Sequence, residues 1–246
     1  MCIRILLVNP NSSQSMTENM KINVESIFSR TSMADEVNVS YFTAPPEAPR
    51  QIENNETSIK STKVCFPILN DSTSEFYYQR YDGILVGCFS DHPLVTALSN
   101  QNKIDNHQTI ICGLLDTSIN YCNMLNKKPF SIITSNEEWV SILNKSVEDK
   151  LLNINRVENN LWRGTVSTNL QVLDLDNPEN LEQIISRIKN ENVEKLGSDI
   201  VILGCAGFSC LKNPLTAAFN HEVTFIEPIY VGLNLLLQMI QPGASF

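Results

Sequence analysis

The feature that most constrains this chain of 246 residues is that it repeats itself. Ile5-Leu-Leu-Val-Asn-Pro-Asn-Ser-Ser13, an apolar run closing on a polar turn, has a counterpart in Phe130-Ser-Ile-Ile-Thr-Ser-Asn136. Asp82-Gly-Ile-Leu-Val-Gly-Cys88 returns as Asp199-Ile-Val-Ile-Leu-Gly-Cys205, and Thr109-Ile-Ile-Cys-Gly-Leu-Leu-Asp116 as Val223-Thr-Phe-Ile-Glu-Pro228. Chance produces one such match easily and three in the same order poorly. Each run is short, continuous and rich in Ile, Val or Leu, as strands buried on both faces of a parallel sheet are.

Amphipathic segments follow most of these runs. Strands are expected at residues 3–8, 37–42, 84–87, 109–112, 131–133, 199–203 and 223–226. Helices are expected at 15–29, 94–101, 118–125, 137–151, 178–196, 215–220 and 229–240. The alternation predicts an α/β fold of two pseudo-symmetric lobes, each a parallel sheet flanked by helices. Residues 1–115 with 228–246 form the first lobe and 116–227 the second. Residues 43–62 carry Pro45, Pro46 and Pro49 and read as a long loop, a possible lid. Open α/β sheets bind ligands beyond the carboxyl ends of their strands. Two repeated lobes would set equivalent strand ends across a cleft, with one cysteine from each.

Charge and composition narrow the partner. With 18 Lys and Arg against 27 Asp and Glu, the formal charge is −9, unsuited to a nucleic-acid backbone. No apolar stretch is long enough to span a bilayer, and the first is too short for a signal-peptide core. Seven cysteines, an odd number, point to reduced thiols and a cytoplasmic location. The three histidines are scattered and there is no C-x-x-C spacing, so no metal site is expected. No P-loop or dinucleotide fingerprint calls for a cofactor. The expected partner is a small-molecule substrate, not nucleic acid or membrane, and a homo-oligomer is the expected assembly.

Cys88 and Cys205 are the candidate catalytic residues. Each ends an apolar strand after a glycine, before an expected helix start, where backbone N–H groups and the helix dipole would draw a thiol toward thiolate. A buried small hydrophobe is the plainer reading of either alone. The Asn9–Ser13 turn is both a helix cap and a set of donors for a carbonyl or carboxylate, and Thr134-Ser135 occupies the matching position. Glu227, at the end of the last strand, reads as a buried carboxylate that orients a ligand. His92 raises a Cys–His nucleophile, although a partly exposed structural histidine fits better, because no histidine follows Cys205 in the same way.

Val8-Asn-Pro-Asn-Ser-Ser13 with Met16-Thr17, the Val-Gly-Cys-Phe-Ser-Asp91 segment and the Leu-Gly-Cys-Ala-Gly-Phe208 segment resemble the hydantoin racemase branch of the aspartate/glutamate racemase superfamily. Allantoin racemases belong to that branch. The resemblance implies racemisation without a cofactor by two cysteines. One thiolate removes a proton from the stereocentre and the other thiol returns one on the opposite face. By position it implies Cys88 and Cys205 as the pair, with Asn9, Phe89, Thr134, Ser135, Gly207 and Phe208 contacting the ligand. The chain departs from the bacterial pattern, Cys-Phe-Gly-Asp-Pro-Gly, with Cys88-Phe-Ser-Asp-His-Pro93. The implied substrate is a 5-substituted hydantoin such as allantoin. Alternatives are another reaction of the superfamily (amino-acid racemisation, Cys-dependent decarboxylation or isomerisation), a Cys–His hydrolase, and a silent ligand-binding protein.

Overall fold

The computed structural model describes residues 2–29, 36–125, 128–153, 161–175, 177–208 and 210–241. The chain divides into two compact units, residues 1–114 with 229–246 and residues 115–228.

In the first unit, strands β1 (Ile3–Asn9), β2 (Val37–Thr43), β3 (Gly83–Val86) and β4 (Ile110–Gly113) form one parallel sheet in the order β2-β1-β3-β4. Helices α1 (Gln14–Phe28), α2 (Asn55–Leu69) and α3 (Pro93–Ile104) lie between them in the chain. In the second unit, α4 (Leu114–Met124) leads to β5 (Phe130–Thr134), α5 (Glu138–Asn153), β6 (Trp162–Ser167), α6 (Leu181–Arg187), β7 (Ile200–Leu203), α7 (Lys212–Ala218) and β8 (Thr224–Ile226). Its sheet has the order β6-β5-β7-β8, the first unit's order repeated. Helix α8 (Pro228–Ile240) returns the chain to the first unit.

The apolar runs form strands because both of their faces are covered. Ile5, Leu6, Leu7 and Val8 of β1 are at most 2% exposed, and Ile200–Leu203 of β7 are fully buried. Each such side chain contributes about 1.5–3 kcal/mol by leaving water. Helix α1 buries Met16, Met20 and Val24, four apart, on one face.

Two segments differ from the sequence-based expectation. Residues 55–62, read as the end of a proline-rich loop, instead begin α2, which runs on to Leu69 with Pro67 inside it. A capping box starts the helix: Asn54 accepts from Thr57 N–H while Thr57 Oγ1 accepts from Asn54 N–H. Its buried face is Ser58, Ser61, Cys65 and Leu69, too polar to register as an apolar stripe. Strand β6 was not expected at all. It is an edge strand with Arg163 and Gly164 in it, and its register with β5 slips between Phe130 and Ile132. The helix expected at 178–196 exists but changes pitch, becoming a π-helix over Ile188–Lys195. There the buried Asn192 donates to Ser131 Oγ at 2.8 Å and to Ile132 O at 3.2 Å, which anchors the helix to β5.

Candidate active site

The two sheets end alike. In the first unit Gly87 N–H donates to Val8 O and in the second Gly204 N–H donates to Ile133 O, both at 2.8 Å. On the other side of the first strand, Ala44 N–H donates to Asn9 O at 3.0 Å and Thr168 N–H to Thr134 O at 2.9 Å. The strands are parallel, so each unit gathers its carboxyl ends along one edge of its sheet. That edge carries Asn9, Cys88 and Gly113 in one unit, and Thr134, Ser135, Cys205 and Glu227 in the other. Within each unit, the sequence-predicted residues therefore fall at one sheet edge.

Cys88 is partly exposed and lies two residues beyond β3. Gly87 precedes it because a Cβ there would stand 2.9 Å from Met20 Sδ and 3.1 Å from Val8 O. The Cys88 sulfur lies 3.4 Å from Ser90 Oγ, Phe89 is buried, and Ser90 is 3% exposed. Helix α3 begins at Pro93, capped by His92, whose Nδ1 accepts from Leu94 N–H at 3.3 Å. His92 is buried, not partly exposed as its sequence context suggested, and burial pushes it down to about 4. Its Nε2 is buried without a hydrogen-bond partner. A neutral histidine committed through one nitrogen to a helix cap is not arranged as the base of a Cys–His pair.

Cys205 sits just before a 3₁₀ turn, Ala206–Phe208. Phe208 N–H donates to Cys205 O at 3.0 Å, and Phe208 is fully buried in the unit's apolar core. A Cβ on Gly207 would meet Val172 O at 2.5 Å, which only glycine avoids. The expectation that a helix start would draw both thiols toward thiolate fails at Cys205. Among the described residues the next α-helix begins at Lys212, and burial of the sulfur pushes this thiol up to about 11, although part of the residue reaches the surface. The Gly207 N–H and the Ser135 hydroxyl act in the opposite direction without cancelling that. The Ser135 hydroxyl is buried close to the sulfur, yet it has no well-aligned hydrogen-bond partner of its own.

The remaining predicted residues divide by occupation. Asn9 is fully buried and holds its own turn: Nδ2 donates to Ser13 O at 3.0 Å and to Thr17 Oγ1 at 2.9 Å, and Oδ1 accepts from Asn11 N–H at 3.2 Å. Ser13 caps α1, accepting from Met16 N–H at 3.4 Å. Thr134 is buried, its hydroxyl 3.5 Å from Gly204 O. Glu227 is 6% exposed at the end of β8. Two residues escaped the sequence reading because β6 did. Ser167 Oγ and Thr168 Oγ1 both donate to Ser135 O at 2.9 Å, fixing the segment that carries the Ser135 hydroxyl. None of the seven cysteines is in a disulfide. Among the described residues no group of three or more His, Cys, Asp or Glu could hold a metal ion, and no helix is long and apolar enough to cross a membrane.

A family model described as Asp/Glu/Hydantoin racemase matches residues 5–236. Protein DCG1 of Saccharomyces cerevisiae is 53% identical over 240 residues, covering 97% of this chain and 96% of its own. Among solved structures, an allantoin racemase from Klebsiella pneumoniae superposes with a TM-score of 0.76 at 20% identity, covering 99% of this chain and 89% of its own. An allantoin racemase from Pseudomonas fluorescens gives 0.72 at 15% identity, covering 99% and 93%. At those identities the two structures show a shared fold.

Proposed function

The chain belongs to the Asp/Glu/Hydantoin racemase family, and from that premise we propose that it is a cofactor-independent racemase of a small carbon acid, with Cys88 and Cys205 as its two bases and a 5-substituted hydantoin such as allantoin as substrate. The observation that carries this reading is the repeated strand end. Two units of the same strand order each place a Gly-Cys pair on the same backbone hydrogen bond. The allantoin racemases among the structural neighbours support the choice of substrate.

The chemistry suits these groups. The C5–H of a hydantoin is acidified by the adjacent carbonyl, and its carbanion is an enolate. A thiolate at one cysteine takes the proton and becomes a thiol. The electron pair passes to the carbonyl oxygen, and the thiol at the other cysteine returns a proton to the opposite face. After one turnover the two sulfurs have exchanged roles. Cys205, whose thiol is pushed up to about 11, is a proton donor at neutral pH. The developing oxyanion needs fixed donors, and the buried Ser135 hydroxyl beside the Cys205 sulfur is one candidate. To test the reading, single enantiomers of allantoin and other 5-substituted hydantoins, with acidic amino acids alongside, are followed by polarimetry without added cofactor. Rotation should decay to zero for a hydantoin. Decay with amino acids alone moves the substrate class, and unchanged rotation throughout removes the activity.

A further inference from the structure

Ser90 stands two residues beyond Cys88 and is 3% exposed. Its N–H donates to Cys88 O at 3.0 Å, so the turn fixes where its side chain begins. Its hydroxyl lies 3.4 Å from Cys88 Sγ. A thiol sulfur is a weak acceptor and its S–H a weak donor. A thiolate is an ion, and a hydrogen bond to an ion is about twice as strong as a neutral one. A hydroxyl buried against a sulfur thus gains more when that sulfur is charged, and it favours the charged form by that difference.

We propose that Ser90 is the positioning residue of Cys88: its hydroxyl holds the sulfur in place and donates to it in the thiolate state. For its catalytic consequence this rests on the racemase reading, in which Cys88 is a base; its consequence for thiol reactivity does not. The titratable groups around this strand end are Asp91 and His92 on the same loop and Cys112 on β4. The turn from β1 to α1, residues 9–13, has none. His92, buried and neutral, adds no positive charge at pH 7. The other unit solves the same problem with different atoms. Two residues beyond Cys205 stands Gly207, which offers the sulfur a backbone N–H, and the neighbouring hydroxyl comes from Ser135 on the adjacent strand end.

The test is the rate at which iodoacetamide alkylates Cys88 in the full-length protein, read by mass spectrometry of its peptide from pH 5 to 10. Wild type, Ser90→Ala and Ser90→Thr are compared. Removing the hydroxyl should move the midpoint up by about one unit and slow alkylation at pH 7 about tenfold. Threonine, which restores a hydroxyl, should bring the rate back to within about threefold of wild type. Cys205 in the same samples should keep its own rate. Should the alanine variant fail to fold, Ser90→Gly removes the same hydroxyl without adding an apolar group. Superimposable profiles in a folded hydroxyl-free variant overturn the proposal, as does a threonine variant that behaves like alanine. If wild type racemises none of the compounds, the racemase reading falls while the alkylation profiles still decide the role of Ser90. If it does racemise one, the Ser90→Ala loss should recover as pH rises, which a packing defect would not do.

Discussion

The two units have the same strand order and the same hydrogen bonds at the ends of their central strands, yet they surround their cysteines differently. In the first, the four residues Phe89–His92, with Ser90 and His92 among them, separate Cys88 from the first residue of α3. In the second, the chain folds at once into a 3₁₀ turn packed on Val172 and Leu175, and Cys205 is pressed into apolar surroundings that hold it as a thiol. Duplicated backbones thus need not give duplicated chemistry. The sheet sets where each sulfur stands. The few residues after it bear on which protonation state is easier to hold, and the proposed two-base mechanism asks for one sulfur in each state at any moment.

The largest effect should come from breaking either end. Cys88→Ser and Cys205→Ser should each lower racemisation by about 10²–10⁴-fold, the usual span for a lost general acid or base. Because the sulfurs serve opposite faces under the proposed mechanism, each variant should still exchange the stereocentre hydrogen of one enantiomer in D₂O, and the two variants should choose opposite enantiomers. Proton NMR of single enantiomers in D₂O checks this. Full racemisation by one variant, or the same enantiomer exchanged by both, would break the two-face assignment.

Why the strand ends were legible in the sequence and their surroundings were not follows from the physics of each. Ile84–Val86 and Ile200–Leu203 are buried on both faces, so their composition alone marks them, and the Gly-Cys pair after each is a local pattern. Strand β6 lies at an edge, half covered, and Trp162-Arg-Gly-Thr-Val-Ser167 carries too few apolar residues to announce it. The supports of Ser135 that it brings, Ser167 and Thr168, depend on pairing across the sheet, and no local pattern reports that. Helix α2 hid behind Pro67 and a polar buried face. The burial of His92 was equally out of reach, because its sequence context, between Asp91 and Pro93, is that of a surface turn.

His92 sharpens the contrast through pH. Its folded-state value lies near 4, below its ordinary 6.5, because burial disfavours the charged ring. Between those values the unfolded chain binds a proton that the folded chain does not, so folding loses stability as pH falls from 6.5 to 4. The loss reaches about 3 kcal/mol at most, at 1.36 kcal/mol for each unit. His92→Asn keeps a capping side chain and removes the titration. Urea unfolding at pH 7 and pH 4.5 should show a smaller drop for the variant than for wild type. Equal drops would mean that His92 is not held neutral by burial.

The smallest effect tests the two glycines that flank the sulfurs. At Gly207 an added Cβ meets a carbonyl oxygen, Val172 O, at 2.5 Å, with Leu175 Cδ1 at 3.0 Å, so the 3₁₀ turn must shift. Overpacking of that kind costs about 1–3 kcal/mol. At Gly87 the nearest atoms are Met20 Sδ and Cε, at 2.9 and 3.0 Å, the far end of a flexible side chain that can turn away, and the backbone oxygen Val8 O stands farther off, at 3.1 Å, than Val172 O does at Gly207. There the strain is partly offset by the lower conformational entropy that alanine brings to the unfolded chain, about 0.4–1 kcal/mol. Neither glycine has a positive φ, so backbone strain does not separate them. Gly207→Ala should therefore lose more stability in urea than Gly87→Ala, and it should also disturb Cys205, because the Gly207 N–H that reaches that sulfur moves with the turn. Alkylation of Cys205 should change in Gly207→Ala and stay near wild type in Gly87→Ala. If Gly87→Ala proves the more damaging of the two, the packing of α1 through Met20, and not the backbone of the turn, is the stiffer support.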